Sequence, residues 1–180
     1  MFFKSVFNDY KAAVFTPRKF WERDKFQDNI FLMLTPLFVL TGMTMLFGRH
    51  LSGNTWTLSI VHGIAESARY VAYYLLAEPL VFAFSLKYKP DASRRMNQVV
   101  VGYSFVPVLL AAAISNFQWF AVVYTACIWG ICVYSKGVLR RIQLPQQLSA
   151  QFIVLSILLI IITMLITNRV INFFLEQLPL

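Results

Sequence analysis

The run FIVLSILLIIITMLI, residues 152–166, carries no charged side chain. Together with the residues that follow, to about 175, it is long and apolar enough to cross the hydrocarbon core of a bilayer as a helix, which takes roughly 17 to 25 mostly apolar residues. Four earlier segments approach the same length: residues 30–47, 70–86, 99–115 and 117–134. Only Ser115 and Asn116 separate the third from the fourth, so those two form a tight helical hairpin, with Trp119 expected as an interfacial anchor. The expectation is an all-α, polytopic membrane protein: a five-helix transmembrane bundle over residues 30–180, preceded by a short segment, residues 1–29, on the cytoplasmic side.

Composition agrees with lipid as the solvent. Of the 180 residues, 58% are hydrophobic and 13% charged, where soluble domains carry about 25% charged residues; mean hydropathy is +0.63. The opening MFFKSVFNDYK brings Lys4, Asn8, Asp9 and Lys11 where a cleavable signal needs an apolar core, so the first span is expected to stay in the mature protein. The net charge of +8 is read as topology and attraction to anionic lipid rather than to nucleic acid, because its position decides its meaning. Lys4, Lys11, Arg18, Lys19, Arg23 and Lys25 precede the first span, Lys87, Lys89, Arg94 and Arg95 follow the second, and Lys136, Arg140 and Arg141 follow the fourth. The alternate side holds Arg49, Arg69 and Arg169 alone. By the positive-inside rule the N-terminus is cytoplasmic and the C-terminus lies outside.

Phe3, Phe7, Tyr10 and Val14 recur at helical spacing, which predicts an amphipathic helix lying in the membrane interface and ended by Pro17. Trp21, within PRKFWERDKF, is expected at headgroup level as a lipid-facing anchor. Cys127 and Cys132 both fall in an apolar run and are read as buried free thiols. They supply neither a disulfide scaffold nor a zinc cluster.

The polar residues of the second span are candidates for function. His62, Glu66, Arg69 and Tyr73 share a sector of about 60° on a helix. They are read as a rim cluster at the outer surface, the other reading being the wall of a polar cavity. His62 and Glu66 give only two of the three or four ligands that zinc needs, so no metal or cofactor is assigned. Glu78 sits roughly 12 Å below the cytoplasmic end by helix rise, and an intramembrane carboxylate is a functional candidate by default. It is protonated, paired with a cation of another helix, or hydrogen-bonded by Tyr74. Pro79 beside it, with Pro36 and Pro107 in the first and third spans, removes backbone donors. Broken helices near mid-membrane are also how many transporters build a site.

The stretches VGYSFVPVLL, residues 101–110, and IWGICVYSKGVLRRIQLPQQLSAQFIVLSILLIIITMLI, residues 128–166, resemble the Yip family of Rab-interacting membrane proteins and their prokaryotic relatives. Gly102, Tyr103, Ser104 and Pro107 are similar to the family's Gly-Tyr-small pattern followed by proline, and Tyr134 to Gly137 closes the fourth span before a basic loop. TPRKFW, residues 16–21, stands where eukaryotic members carry Asp-Leu-Tyr-Gly-Pro and is more like the Pro and Phe-Trp of prokaryotic members. The resemblance implies five spans and a cytoplasmic N-terminus. Eukaryotic relatives act with Rab GTPases through a long N-terminal region; the 29 residues here point instead to a bacterial inner-membrane relative.

No phosphate-cradling glycine loop, metal cluster or nucleophile pattern stands in the sequence, so no reaction is named. The expected role is a non-enzymatic organiser or adaptor that engages membrane lipids and protein partners, or a second copy of itself, at the cytoplasmic face. The alternative is a small transporter or ion-coupled permease with Glu78 at its site, supported by Tyr74 and Tyr103.

Overall fold

The computed structural model describes residues 2–23, 25–116 and 120–177. Trp119 and the side chain of Phe3 lie outside the described residues. All regular structure among them is helical: α1 (Phe2–Phe15), α2 (Pro17–Trp21), α3 (Ile30–Leu51), α4 (Trp56–Ser85), α5 (Arg94–Ser115), α6 (Phe120–Gly137) and α7 (Gln146–Glu176), with a π-helical turn, Val138–Ile142, continuing from α6. Each of the five apolar segments falls on one of α3 to α7. Three helices, α3, α5 and α7, are long and apolar enough to cross a membrane among the described residues, rather than the five expected. The shortfall at α4 has a physical origin: its 30 residues suffice in length, but Glu66, Arg69 and Glu78 interrupt its apolar character.

Local chemistry sets the boundaries. Side-chain oxygens of Asn29, Thr55 and Ser93 accept from the amides of Leu32, Leu58 and Met96, capping α3, α4 and α5. Gly53, with φ of 92°, turns the chain between α3 and α4. Pro17 opens α2, where its missing N–H costs nothing, and so ends α1 as expected. Pro36, Pro79 and Pro107 all sit inside continuous helices. None of the three breaks its span.

The antiparallel pair α3–α4 packs backbone against backbone. A methyl group on Gly42 would come 2.6 Å from the Gly63 carbonyl oxygen and collide with Ser67 Oγ; one on Gly63 would come 2.8 Å from the Gly42 carbonyl. Small residues let two backbones approach where lipid supplies no hydrophobic drive between helices. Ser67 Oγ donates to the Phe38 carbonyl at 2.9 Å, and the rings of Phe31 and Tyr74 lie 6.3 Å apart. Each step along α3 is thus matched by one step back along α4. This register sets Glu66 opposite Val39 and Glu78 opposite Gln27, before α3 begins. The last ten residues of α4 overshoot the start of α3, by roughly 15 Å at the usual helix rise.

α5 is the central helix, buried along most of its length, and α6 packs on it through Gly130, which faces the Ser104 carbonyl and Val108. Cys127 is exposed and Cys132 only half-buried, not buried as expected. α7 packs along α4 and leaves a broad apolar face, including Leu158, Ile162, Leu165 and Ile166, exposed. The hydroxyl of Tyr134 donates to Ser156 Oγ at 2.8 Å, joining α6 to α7.

Gly63→Ala should destabilise the protein by about 1–3 kcal/mol, since overpacking at a backbone contact forces α3 and α4 apart. Thermal unfolding in detergent micelles measures it. A substitution as mild as one at exposed Phe7 would show that the contact does not hold the pair.

Candidate functional site

Three segments far apart in sequence meet at one end of the bundle: the N-terminal segment, the α4–α5 connection and the turn after α6. Arg140 Nη2 lies 3.9 Å from Glu22 Oε1, Arg95 pairs with Asp28, and Arg141 Nη2 donates to the Arg23 carbonyl. Lys89 Nζ donates to the Ile142 carbonyl at 3.1 Å. Lysines and arginines assigned to one side by sequence therefore share a physical surface, the basic end.

α1 and α2 are docked across this end. Of the expected stripe α1 buries Tyr10 and, in part, Val14, together with Val6 and Ala13, while Phe7 is 68% exposed. The hydroxyl of Tyr10 donates to the Met33 carbonyl, and burial pushes its pKa well above the usual tyrosine value, so it remains a donor. Trp129 Nε1 donates to the Val14 carbonyl at 2.7 Å. Asp9 anchors the arrangement. Its carboxylate accepts from Arg23 Nη1 at 2.9 Å, Gln27 Nε2 at 2.9 Å and the Tyr103 hydroxyl at 3.3 Å. Tyr103, a candidate partner of Glu78, thus belongs to Asp9.

Trp21 is 1% exposed, which corrects its reading as a lipid-facing anchor. Its indole N–H donates to the Val133 carbonyl at 3.0 Å, and its ring fills the space that a side chain on Gly137 would need, with Cζ2 2.8 Å from the position of the missing methyl. Phe20, Trp21, Phe26 and Tyr103 form one aromatic cluster, with Phe20 and Tyr103 centroids 4.6 Å apart. Gly102 has its own role: a methyl there would collide with Ile30 at the start of α3 and touch Tyr74. Pro107 is buried on the same helix. The segments that carried the family resemblance, residues 16–21, 102–107 and 134–137, come together in space.

Glu78 is buried at 5%, but its depth differs from the expected one. It stands beside the first residues of α3 and α5, at the rim of a groove of about 410 Å³ lined by Asn29, Phe31, Tyr74, Arg94 and Gln98. Arg94 Nη2 is 3.8 Å from its Oε2, its Oε1 has no partner, and its backbone carbonyl accepts from Asn97 Nδ2 at 3.2 Å. Counting rise from the end of α4 overestimates the depth because α4 overshoots its neighbours.

Glu66 and Arg69 are displaced the other way. The register places Glu66 opposite Val39, roughly 14 Å inside α3, so the pair sits level with the middle of that helix and, through Asn172, with the last turns of α7. Arg69 Nη1 is 2.6 Å from Glu66 Oε2, and Arg69 Nη2 donates to Asn172 Oδ1 at 2.8 Å. The triad ties α4 to α7. His62 is half-buried one turn further on. Among the described residues no three His, Cys, Asp or Glu side chains converge as a metal site.

No protein-family model, curated protein or solved structure matches this chain. Among the described residues the fold defines the class: all-helical, with three helices long and apolar enough to cross a membrane.

Arg69→Ala should cost about 3–5 kcal/mol, because it leaves Glu66 buried without its cation. The double variant Glu66→Gln, Arg69→Met should recover much of that in thermal unfolding in nanodiscs; equal loss in both would deny the pair its charge coupling. Trp21→Ala should cost about 3–5 kcal/mol, felt locally as undocking of α1 and α2. Limited chymotryptic cleavage after Phe20, which is fully buried in the parent protein and should be cut in the variant, reads it.

Proposed function

We propose that the chain is a non-enzymatic organiser of a bacterial inner membrane, of the Yip type, which gathers anionic lipid and protein partners at its cytoplasmic face. It crosses five times, with the N-terminus cytoplasmic and the C-terminus outside. The observation that carries this reading is the basic end, where cations from three separate segments share one surface with the docked N-terminal helices. Such a surface attracts anionic headgroups at about 1 kcal/mol per Lys or Arg near the membrane. Phe7 and Phe15, exposed on α1, supply apolar contact beside the charges. Two of the five crossings, α4 and α6, need support beyond composition. For α4 it comes from the Glu66–Arg69–Asn172 triad, which satisfies charge inside the bundle as an intramembrane ion pair requires. The transport reading lacks this backing, since Glu78 faces Arg94 at the start of α5 instead of standing at mid-depth.

Two measurements test the reading. Single cysteines at Ser5 and Gln177, both exposed, in a background free of Cys127 and Cys132, should react with impermeant reagent from opposite sides of the membrane. Reaction from the same side refutes the five crossings. Neutralising Lys25, Lys87, Arg95 and Arg140 to Gln should remove most of the enrichment in anionic lipid that native mass spectrometry finds with the parent protein; unchanged enrichment refutes lipid engagement at this face.

A further inference from the structure

Between the α4–α5 connection and the turn after α6 lies a polar cavity of about 150 Å³, lined by Ser85, Lys89, Asp91, Ser93, Asn97 and Arg141 among others. Its walls come from separate parts of the chain. Lys89 offers an ammonium with three donors, one of which meets the Ile142 carbonyl. Arg141 is held with its guanidinium 4.9 Å from the Phe26 ring centroid, and its Nε is buried without a partner. The first turn of the 22-residue α5 opens here. Ser93, Met96 and Asn97 are the residues of this helix and its cap that line the cavity, which therefore lies at the positive end of the helix dipole.

Asn97 is the second, independent sign of a ligand. It is 1% exposed, its Nδ2 is engaged by the Glu78 carbonyl, and its Oδ1 has no partner. A buried acceptor without a donor is costly. Arg141 Nε is a donor lacking an acceptor, and Asn97 Oδ1 an acceptor lacking a donor. Both residues line one cavity. Asp91 adds a carboxylate, which also accepts. A bare anion answers only the cationic half of this set.

We propose that this cavity binds a phosphate ester that also carries hydroxyl donors, the phosphate held by Lys89 and Arg141 and the hydroxyls by Asn97 and Asp91. The chemistry fits the phosphoglycerol headgroup of an anionic lipid and equally a soluble glycerol phosphate. The site rests on the proposed function in placing the basic end at a membrane surface, and makes it selective: a defined headgroup pocket within a diffusely cationic face.

The test titrates the detergent-solubilised full chain with dioctanoyl phosphatidylglycerol, dioctanoyl phosphatidylcholine and glycerol 1-phosphate. Saturable binding of the phosphatidylglycerol, weakened at least about tenfold by Lys89→Gln or Arg141→Gln, is expected from loss of one charge-assisted hydrogen bond. Lys11→Gln and Lys19→Gln, which remove the same charge at exposed positions outside the cavity, should leave affinity nearly unchanged. Asn97→Ala should narrow the preference over phosphatidylcholine, which has no hydroxyl donor. Circular dichroism and size-exclusion profiles identical to the parent's keep the variants comparable. Equal binding of glycerol 1-phosphate upholds the pocket and assigns it a soluble source. Equal weakening by all four charge substitutions overturns the pocket while leaving the lipid-attracting face intact; no saturable binding of either ester overturns the pocket as well.

Discussion

The approach of two backbones at Gly42 and Gly63 fixes how α4 lies on α3, and the position of every polar group in α4 follows from it. With a side chain at either glycine the helices could not meet at this register, and Ser67 would lose the Phe38 carbonyl. The register then carries Glu66 and Arg69 to the middle of α3 and Glu78 beyond its first residue. Charge thus appears where the neighbours can satisfy it: Asn172 of α7 completes the hydrogen bonding of Arg69, and Arg94 at the start of α5 faces Glu78. A helix with these side chains is poorly suited to lipid alone. Packed between α3, α5 and α7 it presents Leu75, Leu76 and Leu80 outward instead.

The elements were legible because they rest on local signals. Apolar runs mark the five long helices and Pro17 the end of α1, although α4 begins at Trp56, well before the expected start at residue 70. The grouping of cations was legible for the same reason, since charge between spans needs no knowledge of packing. Depth was not. It is a relation between helices, set by which small residue meets which carbonyl, and a single helix gives no sign that it overshoots its neighbours. Gly42 and Gly63 were visible as glycines, but nothing local pairs them. The Asp9 cluster escaped for a related reason: an aspartate in an exposed-looking amphipathic helix gives no hint that Tyr103, in a span 94 positions away, will reach it.

Aromatic residues were misread by the same mechanism. Tryptophan next to basic residues at a membrane boundary has two good environments, the headgroup layer and a protein interior that can accept its N–H. The choice between them depends on whether a complementary hole exists. Gly137 provides that hole and the Val133 carbonyl provides the acceptor, so burial wins for Trp21. Neither feature lies near position 21 in sequence.

This docking bears on what the N-terminal segment can do. An arm meant to recruit partners keeps its recognition residues free, whereas Tyr10, Phe20 and Trp21 are spent on closing the basic end of the bundle and Asp9 on holding Arg23, Gln27 and Tyr103. Partners that used those residues would have to displace an interior-like contact first. What remains outward is a mixed surface: Phe7 and Phe15 on α1, the cations of the connecting segments, and the grooves between them. The proposed gathering of anionic lipid draws on both parts of that surface, since headgroups and acyl chains supply its two complements at once. The N-terminal helices therefore act as the lid of the membrane domain, and the connections after α4 and α6 supply the chemistry around it.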